Sequence, residues 1–221
     1  MSIQADGKII AAGFSVMGDK IVFAVARYNK DGSLDATFNK DTSGSIPGVI
    51  RTDFGSVHKK DDRAFAVAVQ ADGKIVVGGC SHVSGVKTFA LARYLSDGTL
   101  DTSFYNPGFS KVHGTVVASF AGGETNAAIK ALLLQADGLI VAGGYTNSCH
   151  MPSEHVRFGL ARFLPCGELD PSFGSESMGM AVAPGTVITS FGSQETSSQI
   201  NSMVMQSDGK IIAGGLTKIK N

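Results

Sequence analysis

The stretch QADGKIVVGG, residues 70–79, decides the fold because close copies of it occur three more times in the chain. The copies are QADGKIIAAG, QADGLIVAGG and QSDGKIIAGG, which begin at Gln4, Gln135 and Gln206, at intervals of 65 to 71 residues. Self-similarity at a fixed period is typical of repeat architectures. The chain is therefore interpreted as one module repeated along its length.

Three further motifs recur at fixed distances within each module. FAVARY, FALARY and FGLARF each contain an arginine, and a G-x-L-D-x-[ST]-F segment places an aspartate eight residues later. A short apolar segment then ends in phenylalanine, as GVIRTDF, GTVVASF and GTVITSF. Constant spacing inside motifs and variable spacing between them indicates short strands joined by loops of different length.

Each module is predicted to contain four short strands and no helix. The first ends at the glutamine, a two-residue Asp-Gly turn leads to the second, and the second ends at a pair of glycines. The third contains the arginine, and the fourth ends at Phe54, Phe120 or Phe191. AIKALLLQ resembles a helical turn in isolation, but its counterparts AFAVAVQ and INSMVMQ do not, so it is predicted to be a strand.

The third strand is apolar on both faces, as residues 89–94 illustrate. A sheet with one face in water alternates apolar and polar side chains, so these sheets are predicted to be covered on both sides by copies of themselves. The fold class is therefore all-β, with four-stranded antiparallel blades of the β-propeller type. A β-solenoid needs shorter coils and a β-sandwich needs no repeat, so these are the weaker alternatives. The predicted units are 1–63, 64–128, 129–199 and a partial unit, 200–221.

The number of modules predicts an open arc or part of a larger ring. The 221 residues hold three full units and the start of a fourth, whereas closed propellers typically have at least four blades. We expect one of three arrangements: a fragment of a longer array, two chains completing one ring, or a strained closure. Unpaired edges at the ends of an open arc would favour self-association.

Composition excludes several functional classes. Lys and Arg total 19, as do Asp and Glu, so nucleic-acid binding, which needs a basic surplus, is not expected. No apolar run approaches the length of a membrane span. The first residues lack a basic stretch followed by an apolar one, so no signal peptide is predicted, and the compartment stays open. Three cysteines in 221 residues do not indicate a disulfide framework, and Cys80 is interpreted as a small core residue.

The combined pattern Q-x-D-G-K-I-x-x-x-G … F-A-x-A-R-Y-x-x-D-G-x-L-D-x-x-F resembles the bacterial delta-60 repeat family, a predicted β-propeller repeat of unknown function. The resemblance covers three full units and the opening of a fourth. It implies a propeller, often within a large secreted or surface-exposed bacterial protein, and no catalytic residues. The third unit departs from the pattern, because Cys166-Gly167 stands where the others have Asp31-Gly32 and Asp97-Gly98.

The repeated arginines and aspartates are the first candidate functional residues. A buried arginine needs a partner, and an aspartate always follows eight residues later, so we expect an ion pair inside each blade that fixes the turn after the third strand. A residue repeated in every blade favours a structural role, because an active site needs only one copy. The predicted pairs are Arg27 with Asp35, Arg93 with Asp101, and Arg162 with Asp170.

Calcium and zinc are considered as ligands of this chain, and neither is expected as a cofactor. Asp31 and Asp35, like Asp97 and Asp101, place two carboxylates four residues apart, but calcium takes six to eight oxygens, and Asx turns explain the same residues. The third unit also has four extra residues between its second and third strands, which bring zinc-compatible side chains together in a candidate binding loop. Those side chains are Cys149, His150, Glu154 and His155.

The expected function is a non-catalytic propeller scaffold that binds a protein or glycan through its loops or blade edges. The alternative is a propeller hydrolase or lyase acting on a polysaccharide or lactone, which would need carboxylates or metal ligands meeting at the central mouth. A purely structural array is the third possibility. Repeated turn positions hold most of the acidic residues, which favours the scaffold over the enzyme.

Overall fold

The computed structural model describes residues 1–40, 46–55, 61–83, 85–106, 111–120, 126–147, 155–174, 183–192 and 195–219. Within these ranges the chain forms fourteen β-strands and no helix, and thus no helix that could cross a membrane. The strands form three four-stranded antiparallel sheets and one antiparallel hairpin. The all-β, propeller-type architecture expected from the repeats is confirmed.

Each sheet is built from strands that are consecutive in the sequence, and we call the sheets blades. The first blade contains β1 (Ser2–Ile3), β2 (Ile9–Met17), β3 (Lys20–Tyr28) and β4 (Val49–Thr52). The second contains β5 (Arg63–Val69), β6 (Ile75–Val83), β7 (Val86–Tyr94) and β8 (Thr115–Ala118). The third contains β9 (Ala127–Leu134), β10 (Ile140–Thr146), β11 (Arg157–Phe163) and β12 (Thr186–Thr189). The terminal hairpin contains β13 (Glu195–Met205) and β14 (Ile211–Ile219).

Two apolar cores lie between successive blades. Phe89 and Leu91 of β7 pack into a core shared with the third blade, while Ala90 and Tyr94 pack into a core shared with the first. Both faces of the middle sheet are therefore buried, as the sequence of β7 predicts. Burying the apolar area of both faces supplies the main driving force for stacking the blades.

An aromatic pair recurs in every complete blade. The rings of Phe89 in β7 and Phe120 beyond β8 meet edge to face, with their centroids 4.8 Å apart. Phe23 with Phe54, and Phe158 with Phe191, repeat this geometry at the same 4.8 Å separation. The phenylalanine that closes each fourth-strand motif thus packs on the third strand. The fourth strands themselves end two residues earlier, at Thr52, Ala118 and Thr189.

The prediction that the glycine pairs end their strands is wrong, because the second strands continue past them. Gly79 lies in the middle of β6, opposite a β-bulge in β5 where Phe65 is the extra residue. A Cβ on Gly79 would overlap the carbonyl oxygen of Arg63. Lys130 and Asn201 are the extra residues at the matching bulges in β9 and β13. The repeated glycine is therefore explained by a bulge in the neighbouring first strand.

The predicted two-residue Asp-Gly turn is also wrong. Gln70 N donates to Lys74 O at 2.8 Å and Gly73 N donates to Gln70 O at 2.9 Å, which leaves a three-residue loop. Gly73 has a positive φ of 84°, whereas Asp72 does not have a positive φ. A two-residue type I′ turn needs positive φ at both central positions, but a three-residue loop needs it only at the glycine.

The described array is open, because its two ends do not cover each other. Ile3 of the first blade lies on the face opposite the buried Ile10 and is exposed. Ile212 and Leu216 of the terminal hairpin are exposed as well. The counterparts of these two residues inside the array, Val76 and Cys80, are buried, so the exposed side chains mark unpartnered blade faces.

Candidate functional site: the inter-blade turn clamp

The structure places each predicted arginine beside its predicted aspartate. Arg93 Nε donates to Asp101 Oδ2 at 2.8 Å, and the same bond joins Arg27 to Asp35 and Arg162 to Asp170 at 2.7 Å. The guanidinium of Arg93 also lies over the ring of Phe104, with its carbon 4.4 Å from the ring centroid. Equivalent stacking on Phe38 and Phe173 occurs at 4.3 and 4.6 Å.

The second carboxylate oxygen organises the turn after the third strand. Asp101 Oδ1 accepts hydrogen bonds from Ser103 N at 3.1 Å and from Ser103 Oγ at 2.6 Å. Burial alone would raise the pKa of Asp101, but the Ser103 hydrogen bonds and the Arg93 charge outweigh it, so that the pKa is lowered. The carboxylate is therefore ionised at neutral pH and holds the arginine and the turn together.

The arginine also reaches beyond its own blade, which the sequence did not reveal. Arg27 Nη1 donates to the carbonyl oxygen of Ser96 in the second blade at 2.6 Å. Arg93 Nη1 donates to Pro165 O in the third blade, also at 2.6 Å. Each of these carbonyls immediately precedes the Asp-Gly or Cys-Gly turn of the following blade.

A backbone amide provides the second attachment to the same turn. Asn39 N donates to Asp97 O at 2.7 Å, and Tyr105 N donates to Cys166 O at 2.8 Å. We call the arginine, its aspartate, the phenylalanine beneath it and the following amide the turn clamp. In the second blade the clamp consists of Arg93, Asp101, Phe104 and the amide of Tyr105.

The clamp holds the backbone of the incoming turn and packs tightly on its glycine. Gly98 has φ of 96°, and a Cβ there would lie 2.9 Å from the Phe38 ring and 3.0 Å from Asn39 N. Since the contacts are made by carbonyls and glycine, the side chain before the glycine is free to vary. This accounts for Cys166 in the position that Asp97 occupies one blade earlier.

The third copy of the clamp is formed but holds no turn. Among the described residues, Arg162 Nη1 and Gly174 N lack the carbonyl partners that their counterparts have in the first two blades. The side chain of Arg162 is 20% exposed, against 4% for Arg93. The third blade therefore presents an unfilled clamp beside the terminal hairpin.

The carboxylate pairs considered for calcium are engaged within their own turns. Asp97 Oδ1 accepts from Thr99 N at 2.9 Å and from Thr99 Oγ1 at 2.7 Å. Asp31 makes the same two bonds to Ser33, at 3.0 and 2.6 Å. The parts of the chain that the structure describes contain no group of three or more His, Cys, Asp or Glu side chains suited to a metal ion.

The candidate binding loop falls largely outside the described residues. Cys149, His150 and Glu154 lie in the range 148–154, and only His155 is described, as a half-buried residue just before β11. The loop joins β10 to β11, at the opposite ends of the strands from the turn clamps. Its role as a binding site stays a prediction.

Three stacked antiparallel blades joined by a repeated clamp define a β-propeller repeat protein. A model of a β-propeller domain of unknown function, DUF5122, matches residues 4–38, 70–104 and 135–173. The chain belongs to this family of delta-60-like repeats, as the resemblance predicts. Each match begins at the repeated glutamine and ends at the phenylalanine beneath the clamp arginine. No curated protein matches the chain.

Proposed function

We propose that the chain is a non-catalytic propeller scaffold whose third blade binds a polypeptide segment at its open end, supplied by a partner protein or by a further module of the same polypeptide. The occupant is a polypeptide segment with the chemistry of the module itself, a β-strand followed by an Xaa-Asp-Gly turn. The unfilled clamp carries this proposal, because Arg162 and the amide of Gly174 form the same pair of donors that hold a turn in both earlier blades.

Two further features at this end support a strand as the occupant. Within the described residues β14 pairs with β13 alone, whereas the second strand of every complete blade also pairs with a third strand. Ile212 and Leu216 of β14 expose apolar side chains. A strand added at this edge would satisfy backbone groups and cover apolar surface together, which is the known mode of β-augmentation.

Thr189 adds a specific polar contact for the occupant. Its counterpart in the first blade, Thr52, shares a 2.7 Å hydrogen bond with the hydroxyl of Tyr94 in the second blade. Thr189 ends β12 and is exposed. A segment with tyrosine at the position of Tyr94 would restore this bond. The clamp donors, the open edge of β14 and the exposed apolar side chains favour a peptide over a glycan. A peptide supplies backbone carbonyls, a strand and apolar side chains to match them.

The hydrolase or lyase alternative has less support. It requires carboxylates or metal ligands that converge at one place, whereas the aspartates of the three described clamps are bound to arginine and to the turn in every blade. The same groups are thus engaged in the same way within all three blades. We therefore propose binding and not catalysis.

A synthetic peptide of residues 86–101, VKTFALARYLSDGTLD, tests the proposal because it contains the strand and turn of the second blade. Labelled peptide should bind the chain saturably in fluorescence anisotropy. Arg162→Leu in the chain, or Gly98→Ala in the peptide, should each weaken binding at least about tenfold, the equivalent of about 1.4 kcal/mol. Arg51→Leu, which removes an exposed arginine of β4, is the matched control and should leave binding unchanged.

Two results would overturn this proposal. One is the lack of saturable peptide binding by a chain whose circular dichroism is that of folded β-structure. Another is equal binding by the wild-type chain and the Arg162→Leu variant. Sedimentation of the chain at twice 22.9 kDa with the clamp inaccessible to peptide would instead identify a second copy as the occupant.

A further inference from the structure

Lysines stand at two positions where the other blades have uncharged residues, and both lie between the second and third blades. Lys87 is the second residue of β7, and Lys130 is the bulge residue of β9. Their counterparts elsewhere in the array are Ile21, Val156, Phe65 and Asn201. This pair of positive charges is therefore specific to one interface and is not required by the module.

Both ammonium groups lie within cation–π range of the ring of one tyrosine, Tyr145. Lys87 Nζ donates to Tyr145 Oη at 3.2 Å and lies 5.8 Å from the centroid of that ring. Lys130 Nζ lies 5.9 Å from the same centroid and 3.5 Å from the ring centroid of Phe65. The bulge in β9 accounts for the position of Lys130, because an extra residue re-aims a side chain that would otherwise follow the strand alternation.

The positive charge of this cluster is not neutralised within the described residues. Neither Lys87 nor Lys130 forms an ion pair with a described carboxylate, and the nearby Asp61 is bound to Arg63 at 2.6 Å. Burial raises the pKa of the adjacent Cys80 thiol, so it does not supply a negative charge. Burial and the charge of Lys87 lower the pKa of Lys130. Burial would also lower the pKa of Lys87, but its hydrogen bond to Tyr145 and the charge of Asp61 contribute to a net rise.

Two half-buried ammonium groups without a carboxylate partner are unfavourable for the protein when no anion is bound. Half-buried charges are normally paired, and like charges held close together repel each other. Contacts with the two aromatic rings compensate only in part, since a cation–π contact contributes about 0.5–2 kcal/mol. The hydroxyl of Tyr145 accepts from Lys87, which leaves its own hydrogen available to a further acceptor. Two ammonium groups and a hydroxyl thus offer donors to a common negative group.

We propose that Lys87, Lys130 and Tyr145 form an anion site between the second and third blades, which takes a compact oxyanion such as phosphate or sulfate. The ligand would bind as the free ion or as the same group on a sugar. This site is separate from the unfilled clamp, because it lies at the opposite ends of the strands and uses none of the same residues. It therefore goes beyond the proposed function and does not depend on it.

The repeat itself supplies variants that are compatible with the fold. Lys130→Asn installs the residue of β13, and Lys87→Ile installs the residue of β3. In titration calorimetry with inorganic phosphate at constant ionic strength, we expect saturable binding to the wild-type chain and at least about tenfold weaker binding to each variant. Lys210→Ala, which removes an exposed lysine of the last turn, is the control for net charge and should bind as the wild type does.

Thermal melting separates a binding site from a structural contact. Phosphate should raise the melting temperature of the wild-type chain, since a ligand that binds only the native state stabilises it. Without phosphate, Lys130→Asn should melt at or above the wild-type temperature, because it removes repulsion. A lower melting temperature with no difference in phosphate binding would assign Lys130 a structural role and overturn the proposal.

Further titrations identify the source of the anion and separate this proposal from the previous one. Glucose 6-phosphate that binds more tightly than inorganic phosphate would indicate a sugar-borne group, and equal affinity would indicate the free ion. Both outcomes support the anion site. Lack of saturable binding by phosphate, sulfate and glucose 6-phosphate alike would overturn it. Lys130→Asn should leave binding of the 86–101 peptide unchanged, so failure of either proposal leaves the other intact.

Discussion

The interfaces inside the array and the surfaces at its ends contain the same residues in different surroundings. Arg93 is buried and holds the turn of the next blade, whereas Arg162 forms the same ion pair but is more exposed and holds no turn. Gly79 lies against the backbone of β5, whereas Gly13 has nothing within 4 Å of its Cβ position. The difference separates the contacts that a blade needs in order to fold from those that hold successive blades together. The same substitution made at an inner and at a terminal position measures each contribution to stability.

The largest effect is expected for Gly79→Ala compared with Gly13→Ala. Neither glycine has positive φ, so the two substitutions differ in the space available to a methyl group. At Gly79 the methyl overlaps the Arg63 carbonyl oxygen, which belongs to a paired strand and cannot move alone. We expect a loss of about 4 kcal/mol or more in the free energy of unfolding, which is exceptional for one substitution. Gly13→Ala should stay within about 0.5 kcal/mol of wild type in urea denaturation. Equal losses at both positions would refute the bulge as the reason for the glycine.

The second comparison is Arg93→Leu against Arg162→Leu. Leucine at position 93 removes the nearer cation of the buried Asp101, which leaves only Lys74 Nζ at 3.8 Å from Oδ2, and it removes the bond to Pro165. Breaking a buried pair costs about 3 kcal/mol. At position 162 the pair is partly hydrated and no bond to a following blade is lost, so we expect a cost of about 1 kcal/mol. Chemical denaturation of both variants measures the difference. If both cost the same, the bond between blades contributes nothing, and the turn clamp has only a local role.

The sequence predicted the blades and the ion pairs because both depend on contacts inside one module. Apolar residues on both faces of a strand specify a sheet with two buried faces, and a fixed spacing of eight residues brings Arg93 and Asp101 to one turn. The contact from Arg93 to Pro165 was not predictable, because its acceptor is a backbone carbonyl that carries no residue signature. The bulges at Phe65, Lys130 and Asn201 were missed for a related reason, since their only common signal is the glycine on the neighbouring strand.

A smaller effect tests whether the two inner interfaces differ in chemistry. Thr52 and Tyr94 form a buried hydrogen bond between the first and second blades, while Ala118 and Phe163 hold the equivalent positions in the next core. Tyr94→Phe should cost about 1–2 kcal/mol, because it leaves the Thr52 hydroxyl buried and unpaired. Adding Thr52→Ala removes that hydroxyl and recreates the pair seen at the next interface. The double variant should therefore lose about 1 kcal/mol less in the free energy of unfolding than the sum of the two single losses. Additive losses would mean that the two residues are not coupled.

The smallest effect concerns Asp62, which is charged where the other interfaces have Ala127 and Ser198. Asp62 is buried, and its Oδ2 accepts one hydrogen bond from Phe54 N at 3.1 Å. Burial raises the pKa of Asp62 above the usual 3.8, and the hydrogen bond from Phe54 N offsets this only in part. The folded chain thus holds this proton more tightly than the unfolded chain does. Its contribution to stability is greatest below pH 3.8 and declines as the pH rises through the folded-state pKa.

Asp62→Asn should therefore stabilise the chain at neutral pH, because it keeps the acceptor for Phe54 N and removes the buried charge. We expect a rise of a few degrees in melting temperature at pH 7, which shrinks as the pH approaches 3.8. Asp208→Asn, at an exposed turn, is the matched control, and it should not produce a gain that grows with pH. The pKa of Asp208 is lowered by hydrogen bonds from Lys210, so any effect of that substitution has the opposite sign. A destabilised Asp62→Asn chain at pH 7 would mean that the carboxylate is required at the first interface, and that the two inner interfaces differ in electrostatics as well as in hydrogen bonding.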